Sequence, residues 1–131
     1  MIGYATLGIS DLQRSAMFFD AILGELGATR CREQANLIGW RFPGGGSELY
    51  ILKPYDGEAT NPGNGPMLAL FAASPNIVRA VYNKAIDLGG SDEGKPGPRP
   101  YSPNFYAAYF RDLDGNKLNV FCSLPEQTEP S

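Results

Sequence analysis

An internal repeat constrains this chain more than any other feature, because residues 3–53 correspond to residues 66–123. The strand-like segment 4–7 matches 67–70, and the later segment 46–51 matches 115–120. Between these segments, each half has an apolar pattern of helical spacing that ends in a Leu-Gly pair. Two copies of one unit in the same order predict a duplicated fold with a cleft between the copies.

The first half predicts one helix among four strands. Apolar side chains recur at helical spacing over 11–26, which predicts a helix that ends at Gly27. Ser10, followed three residues later by Gln13, has the form of a capping box, so Ser10 is the predicted N-cap. The strands are predicted at 3–9, 28–33, 36–42 and 48–53, with a glycine-rich hairpin turn at 43–46.

The second half is interpreted as a second copy of the βαβββ unit, of which the sequence assigns one helix and three strands. Ser74 is the predicted cap of the second helix, and Pro75 suits the first helical position, where its missing N–H is not needed. Residues 91–104 carry too many prolines for the interior of a sheet and predict a long loop that borders a binding site. The remaining predicted segments are strands at 67–73, 105–110 and 117–122, a linker between the halves at 54–66 and a frayed tail at 124–131.

Composition restricts the class of protein. The 131 residues suffice for one domain with a core of its own, and a net charge of −3 without a basic cluster argues against binding nucleic acid or an anionic membrane. No signal peptide is evident, and no stretch approaches the roughly 18 apolar residues that cross a bilayer. We therefore expect a cytoplasmic protein in which Cys31 and Cys122 are free, buried thiols.

Two motifs resemble those of a known superfamily. Near the start, residues 7–12 read Leu-Gly-Ile-Ser-Asp-Leu and precede a Phe-Phe pair at 18–19 and a Leu-Gly pair at 23–24. Near the end, residues 106–118 contain the turn Asp-Leu-Asp-Gly-Asn, in which Leu113 replaces the proline that the superfamily usually has. The chain thereby resembles the vicinal oxygen chelate superfamily, which includes glyoxalases, bleomycin-resistance proteins and extradiol dioxygenases. The resemblance implies an α+β fold in which two βαβββ modules form a curved, open, mixed β-barrel with the helices packed outside.

The resemblance also implies where a metal would bind. Active members hold a divalent metal inside the barrel through histidine on the first strand of each module and glutamate, histidine or glutamine on each last strand. In this chain the corresponding positions are Tyr4, Tyr50, Met67 and Asn119.

Those four residues do not suit a divalent metal. The chain has no histidine, and two phenols, a thioether and an amide supply no anionic ligand. We therefore expect no metal and no cofactor. Tyr4, Tyr50 and Met67 also suit ordinary packing, whereas a buried Asn119 needs a hydrogen-bond partner that a polar ligand or a water would supply.

Other side chains could bind a ligand. Arg99 and Arg111 are candidates to anchor an anionic group, although Arg111 also suits a role within its own turn. Flat aromatic side chains that could sandwich a planar molecule are Trp40, Tyr101, Phe105, Tyr106 and Tyr109. Phe105 and Tyr109 share one strand face and Tyr106 lies on the other, so only one of these sets can line the cavity.

Acid–base chemistry has weak candidates. Without histidine, a general base would be a carboxylate or a lysine with a shifted pKa. Glu48 is expected on the face opposite Tyr50, and Asp112 and Asp114 are expected to form a turn.

Three functions remain open on the sequence. The first is a homodimer that holds a small hydrophobic or aromatic molecule without transforming it, as the resemblance to bleomycin-resistance proteins implies. The second is a metal-dependent lyase or dioxygenase with an unusual metal site, and the third is a non-catalytic dimeric scaffold. The missing histidines and the aromatic content favour the first.

Overall fold

The described residues form eight strands and two helices, arranged in two equivalent halves of order βαβββ. A computed structural model describes residues 2–100 and 102–125. The elements of the first half are β1 (Tyr4–Gly8), α1 (Leu12–Gly24), β2 (Thr29–Gln34), β3 (Leu37–Arg41) and β4 (Glu48–Leu52). Those of the second half are β5 (Leu68–Phe71), α2 (Pro75–Asp87), β6 (Ser91–Pro98), β7 (Phe105–Arg111) and β8 (Lys117–Ser123).

Each half folds into one four-stranded sheet. The strand orders are β1-β4-β3-β2 and β5-β8-β7-β6, so the first strand of each half lies at an edge beside the last. β1 is parallel to β4 and β5 is parallel to β8, whereas the other pairs are antiparallel. The predicted α+β fold is confirmed: the two mixed sheets form a curved, open barrel, and the helices pack outside it.

The two sheets repeat the same register. Tyr50 of β4 pairs with Thr6 on one side, and Asn119 of β8 pairs with Ala69. On the other side of each strand, Tyr50 pairs with Gly39 of β3, and Asn119 pairs with Tyr109 of β7. Tyr50 and Asn119 are therefore equivalent in strand pairing, as the sequence repeat aligns them.

The core lies between the sheets and the helices. Alternate residues of the central strands, including Leu49 and Ile51 of β4 and Val120 of β8, point toward the helices and are at most 1% exposed. They pack with the apolar sides of the helices, which include Phe19 and Val81. Because strand side chains alternate, the other residues of each strand form a second face that no helix covers, here called the open face.

Hydrogen bonds and an ion pair join the two halves. The backbone N–H of Ser10 donates to Oδ1 of Asp114 at 3.1 Å, and Nδ2 of Asn116 donates to the carbonyl oxygen of Gly8 at 2.9 Å. Nζ of Lys84 on α2 lies 2.8 Å from a carboxylate oxygen just after α1. These contacts place the end of β1 beside the start of β8.

The helix termini agree with the sequence at α2 and differ at α1. Oγ of Ser74 accepts a hydrogen bond from the Ile77 N–H at 3.3 Å, as predicted. The predicted cap Ser10 is wrong: Asp11 is the N-cap of α1, and its carboxylate accepts from the Arg14 N–H at 3.2 Å. The helix begins one residue later than predicted, so Ser10 lies outside it and its N–H donates to Asp114 of the second half.

The prediction of a loop over 91–104 is also wrong in its first part, because 91–98 form β6. β6 is an edge strand, so only one of its sides has to supply hydrogen bonds to β7. Pro96 falls within a break in register between Gly94 and Gly97, where no ladder hydrogen bond is required. Prolines are tolerated at edges and irregularities of this kind.

Both helices have 13 residues, and no helix in the described part of the chain has the length and apolarity to cross a membrane. Both cysteines are free: Cys122 is buried as expected, whereas Cys31 is only half-buried.

Candidate functional site

Two tyrosines meet on the open face of the first sheet. Tyr50 is 7% exposed and Tyr4 is 62% exposed, and their ring centroids are 5.3 Å apart at an interplanar angle of 57°. Thr6, the strand partner of Tyr50, lies on the same face. The structure thus brings together two of the four residues at the positions where the resemblance implied a metal site.

A carboxylate lies beside these tyrosines. Oη of Tyr50 donates to Oε1 of Glu48 at 3.0 Å, Sγ of Cys31 donates to Oε2 at 3.2 Å, and Nη2 of Arg41 lies 3.3 Å from Oε2. The expectation that Glu48 faces away from Tyr50 is wrong, because residues two apart on a strand share a face. The sequence could have revealed this cluster through that alternation.

Hydrogen bonds and burial keep Glu48, Cys31 and Tyr50 each in one protonation state near pH 7. Hydrogen bonds from Cys31 and then Tyr50 lower the pKa of Glu48 below its ordinary value. Burial, followed by the hydrogen bond to Glu48, raises the pKa of Cys31 and likewise that of Tyr50. The carboxylate is therefore ionised while the thiol and the phenol keep their protons. Glu48 is a weak base here and Cys31 a poor nucleophile.

Asn119 lies on the open face of the second sheet and is 2% exposed. Its Nδ2 donates to the carbonyl oxygen of Ala108 at 3.1 Å. We expected a polar ligand or a water to be the partner of a buried Asn119, whereas a backbone carbonyl supplies it in the structure. Asn119 therefore needs no ligand to satisfy its N–H group.

Three phenylalanines form a strip across the open face of the second sheet, here called the aromatic strip. The ring centroids of Phe71 and Phe121 are 5.7 Å apart, and those of Phe121 and Phe105 are 5.4 Å apart. Phe71 is 65% exposed, and the other two are half-buried. Phe71 and Phe121 were not predicted as site residues, although their alternation with the buried Leu70 and Val120 indicates an open-face position.

Tyr109 lies next to this strip and has cations over its ring. The guanidinium carbon of Arg99 lies 5.4 Å from the ring centroid, and Nζ of Lys117 lies 5.7 Å from it. Arg99 donates to three backbone carbonyls of β6, at 2.7–3.2 Å. Arg111 bonds Gly115 O within its own turn at 2.8 Å and also pairs with a carboxylate of β6.

Met67 lies at the gap between the edges of β1 and β5. It lines a cavity of about 180 Å³ together with Thr6, which pairs with Tyr50. Farther along the same gap, cavities of about 360 and 460 Å³ share the side chain of Phe42 and the edge of β5 at Ala69. The gap separates the two sheets along their first strands.

Some predicted residues lie elsewhere. Trp40 is 1% exposed and packs against Phe19 of α1, on the face opposite Tyr50, with its Nε1 donating to Asp20. Tyr106 faces α2, where it contacts Arg79. Phe105 shares the open face with Tyr109, as the alternation predicts. Tyr101 lies outside the described residues.

Asp112 and Asp114 build a turn, as expected. Oδ1 of Asp112 accepts from the N–H groups of Asp114 and Asn116, at 2.9 and 2.8 Å, and Oδ2 accepts from Nδ2 of Asn116 at 2.9 Å. Burial raises the pKa of Asp112. Its oxygens hold the turn together and position Asn116, which bonds the first half through Gly8.

The donor set does not fit the divalent metal that the resemblance implied. Tyr50 donates its proton to Glu48, and the amide nitrogen of Asn119 points at a carbonyl, so neither acts as an anionic ligand. The oxygens of Glu48 already accept hydrogen bonds from three side chains. Among residues 2–100 and 102–125, no three His, Cys, Asp or Glu side chains are grouped so that they could hold a metal.

Comparisons with known proteins agree with this architecture. Residues 1–120 match the sequence model of the Glyoxalase/Bleomycin resistance protein/Dioxygenase superfamily. A comparison with curated proteins gave no match. The chain is 33% identical to a glyoxalase/bleomycin resistance protein from Albidiferax ferrireducens T118, with a TM-score of 0.83 over 92% of this chain and 97% of that one.

Two further solved structures are less similar in sequence. Hypothetical protein SA1046 from S. aureus is 24% identical, with a TM-score of 0.70 over 93% of this chain and 92% of that one. Lactoylglutathione lyase from Agrobacterium tumefaciens is 18% identical, with a TM-score of 0.66 over 93% of this chain and 92% of that one. At these identities the likeness shows the fold alone. The family model, which covers most of the chain, and the structure from Albidiferax establish that the chain belongs to the glyoxalase/bleomycin resistance protein/dioxygenase superfamily.

Proposed function

We propose that this protein binds a small hydrophobic or aromatic molecule against the open faces of its sheets, without a metal. The observation that carries the proposal is the aromatic strip. Phe71 exposes 65% of its surface on a sheet face that no helix covers, in ring contact with Phe121. Grouped and exposed aromatic surface of this kind is typical of binding sites.

The open faces provide both apolar surface and fixed polar groups. A planar molecule laid on the aromatic strip would remove apolar surface from water, which contributes about 2.5 kcal/mol per 100 Å². On the first sheet, the hydrogen bond to Glu48 and the close contact with Gly39 hold the Tyr50 ring in place beside the exposed ring of Tyr4. Rigid surfaces lose little conformational entropy when they bind a ligand.

The metal-free part of the proposal follows from the donor chemistry. Two phenols, a thioether and a hydrogen-bonded amide occupy the positions at which related proteins supply imidazole and carboxylate. A hard dication would have to lose water ligands there without gaining anionic ones. Sequestration requires no such ligand.

We also propose that the protein is a homodimer. β1 and β5 are edge strands, and apolar side chains next to them are exposed: Ile2 at 78% and Met67 at 46%. Edges and apolar patches of this kind favour association with another chain. Light scattering at micromolar concentration should give twice the chain mass, and a monomer would contradict this part.

A thermal-shift screen tests ligand binding, because a molecule that binds only the folded state raises the melting temperature. Aromatic compounds should raise the Tm of the wild type and of Met17→Ala but shift Phe71→Ala much less. Met17 is the matched control because it is 70% exposed on α1, away from the open face.

The outcomes separate the candidate functions. Stabilisation by metals but not by aromatic compounds, or one tightly held metal per chain in elemental analysis, would overturn the proposal in favour of a metal-dependent enzyme. If neither class of compound has any effect while light scattering gives a firm dimer, the protein is a scaffold and the proposal fails.

A further inference from the structure

We propose that the bound molecule is an aromatic anion, with its rings on the aromatic strip and its charged group held by Lys117. This inference rests on the proposed function and adds the chemical class of the ligand.

The open faces are positively charged in an acidic protein. Among the strand residues that the structure describes, and Arg99 next to them, the open-face cations are Arg32, Arg41, Arg99, Arg111 and Lys117, and the open-face carboxylates are Glu48 and Glu93. This is an excess of three positive charges, whereas the whole chain carries a net charge of −3. The negative charges therefore lie elsewhere on the molecule. Such an arrangement attracts anions specifically to the open faces.

Three of these cations are already engaged. Arg41 and Arg111 each form an ion pair with a carboxylate, and Arg99 donates to backbone carbonyls of β6. Arg32 and Lys117 form no side-chain hydrogen bond or ion pair with any residue in the described ranges. Each lies over a tyrosine ring instead.

Lys117 is the better placed of the two. Arg32 is exposed, so water solvates its charge, whereas Lys117 is half-buried beside Tyr109. Its ammonium lies against the ring of Tyr109 and is paired with no carboxylate among the described residues. An anionic group of a ligand would supply that partner through a charge-assisted hydrogen bond.

The spacing on β8 sets the size of the ligand. Lys117, Asn119 and Phe121 alternate on the open face, and Tyr109 pairs with Asn119. Residues two apart on a strand are separated by about 7 Å, so the aromatic strip begins about 7 Å from the level of Tyr109, over which the ammonium of Lys117 lies. A two-ring aromatic carboxylate or sulfonate spans that distance.

Calorimetric titration with 2-naphthoate and with its uncharged analogue 2-naphthalenemethanol tests the inference. Wild type should bind the naphthoate more tightly, and Lys117→Gln should weaken naphthoate binding about tenfold, equivalent to about 1.4 kcal/mol, with little effect on the alcohol. Lys117→Arg should retain most of the affinity. Added salt should weaken naphthoate binding to the wild type more than to Lys117→Gln.

Arg79→Gln is the matched control. Arg79 also lies over a tyrosine ring, 5.7 Å from the centroid of Tyr106, but on the helix-covered side of the sheet. Its replacement removes the same charge and should leave both affinities unchanged.

The outcomes distinguish the two proposals. If both probes bind equally, lose affinity in Phe71→Ala and ignore Lys117→Gln, the ligand is not an anion and only this inference fails. If Lys117→Gln and Arg79→Gln weaken naphthoate binding equally, the net charge of the protein explains the effect. Direct contact between Lys117 and the anionic group is then not needed, and the inference fails. If neither probe binds the wild type, this inference fails together with the proposed binding of aromatic molecules.

Discussion

The ring of Tyr50 lies against the backbone of Gly39 on the neighbouring strand. A β carbon added at Gly39 would lie 2.0 Å from Cδ1 of Tyr50 and 2.1 Å from Cε1, far inside contact distance. The φ angle of Gly39 is not positive, so the approach of the ring, and not the backbone conformation, requires glycine here. The packed position of the Tyr50 ring thus depends on the absence of a side chain at Gly39.

We expect Gly39→Ala to lower the free energy of unfolding by about 1–3 kcal/mol, because the ring must move out of its packed position. Urea denaturation measures this change. Gly24→Ala is the control, since a β carbon at Gly24 meets nothing within 4 Å. In the background Tyr50→Ala, Gly39→Ala should cost much less, and an equal cost in both backgrounds would rule out the steric explanation.

Asp20 links α1 to the core through the only tryptophan of the chain. Its Oδ1 accepts from Nε1 of Trp40 at 2.9 Å, and both carboxylate oxygens bond Arg30. The hydrogen bond from Arg30, with a smaller contribution from Trp40, lowers the pKa of Asp20. Because a lowered pKa means that the folded state favours the carboxylate, this stabilisation is present above about pH 4 and is lost as the pH falls through the folded-state pKa.

We therefore expect Asp20→Ala to lower the free energy of unfolding by about 1–2 kcal/mol at pH 7, mainly because the buried indole N–H loses its acceptor. The difference from wild type should narrow below about pH 4. Asp87→Ala is the control, since Asp87 is exposed. A difference for Asp20→Ala that stays constant down to pH 3 would contradict the linkage.

The periodicity of apolar residues predicts most of the fold, because each strand and each helix buries one side against the core. The strand of Leu49 and Ile51 and the first helix, predicted over 11–26, were both evident, since each has one apolar side. β6 was missed because proline content does not reveal whether a strand lies at a sheet edge, where Pro96 can be accommodated. That property depends on pairing between distant segments.

The site was harder to predict because residue type does not specify a face. Trp40 has the chemistry of a ligand contact, yet it packs against Phe19 in the core. Lys117 looks like an ordinary surface lysine until the fold places Tyr109 beneath it. Which face of a sheet stays open depends on where the helices dock, and only the tertiary structure gives that information.

The contact between Glu48 and Cys31 predicts an effect on thiol reactivity. Burial is the larger cause of the raised pKa of Cys31, and the hydrogen bond to Glu48 adds to it. Glu48→Gln removes the negative charge, so the pKa of Cys31 should fall and its alkylation by iodoacetamide at pH 8 should become several-fold faster. Peptide mass spectrometry measures the rate. Cys122, which is 0% exposed, serves as the internal control and should remain unmodified in both proteins.

Asn116 provides the last and sharpest prediction, because it joins the two halves from a buried position. It is 6% exposed, and its Nδ2 donates both to the carbonyl oxygen of Gly8 and to Oδ2 of Asp112. Asn116→Asp would bring two carboxyl groups to hydrogen-bond distance in a buried site, where only one of them can ionise readily. One pKa of the pair is then raised above its unfolded value.

A raised carboxyl pKa makes stability fall with rising pH, since the folded state holds a proton that the unfolded state releases. Near pH 3, Asn116→Asp should be close to wild type, because the protonated carboxyl can still donate to Gly8. At pH 7 it should be less stable than wild type by about 3 kcal/mol. Asn116→Ala cannot donate at any pH, so its deficit should change little between these conditions. Chemical denaturation of both variants across this range measures the difference, and parallel pH profiles would show that Asn116 does not share a proton-sensitive contact with Asp112.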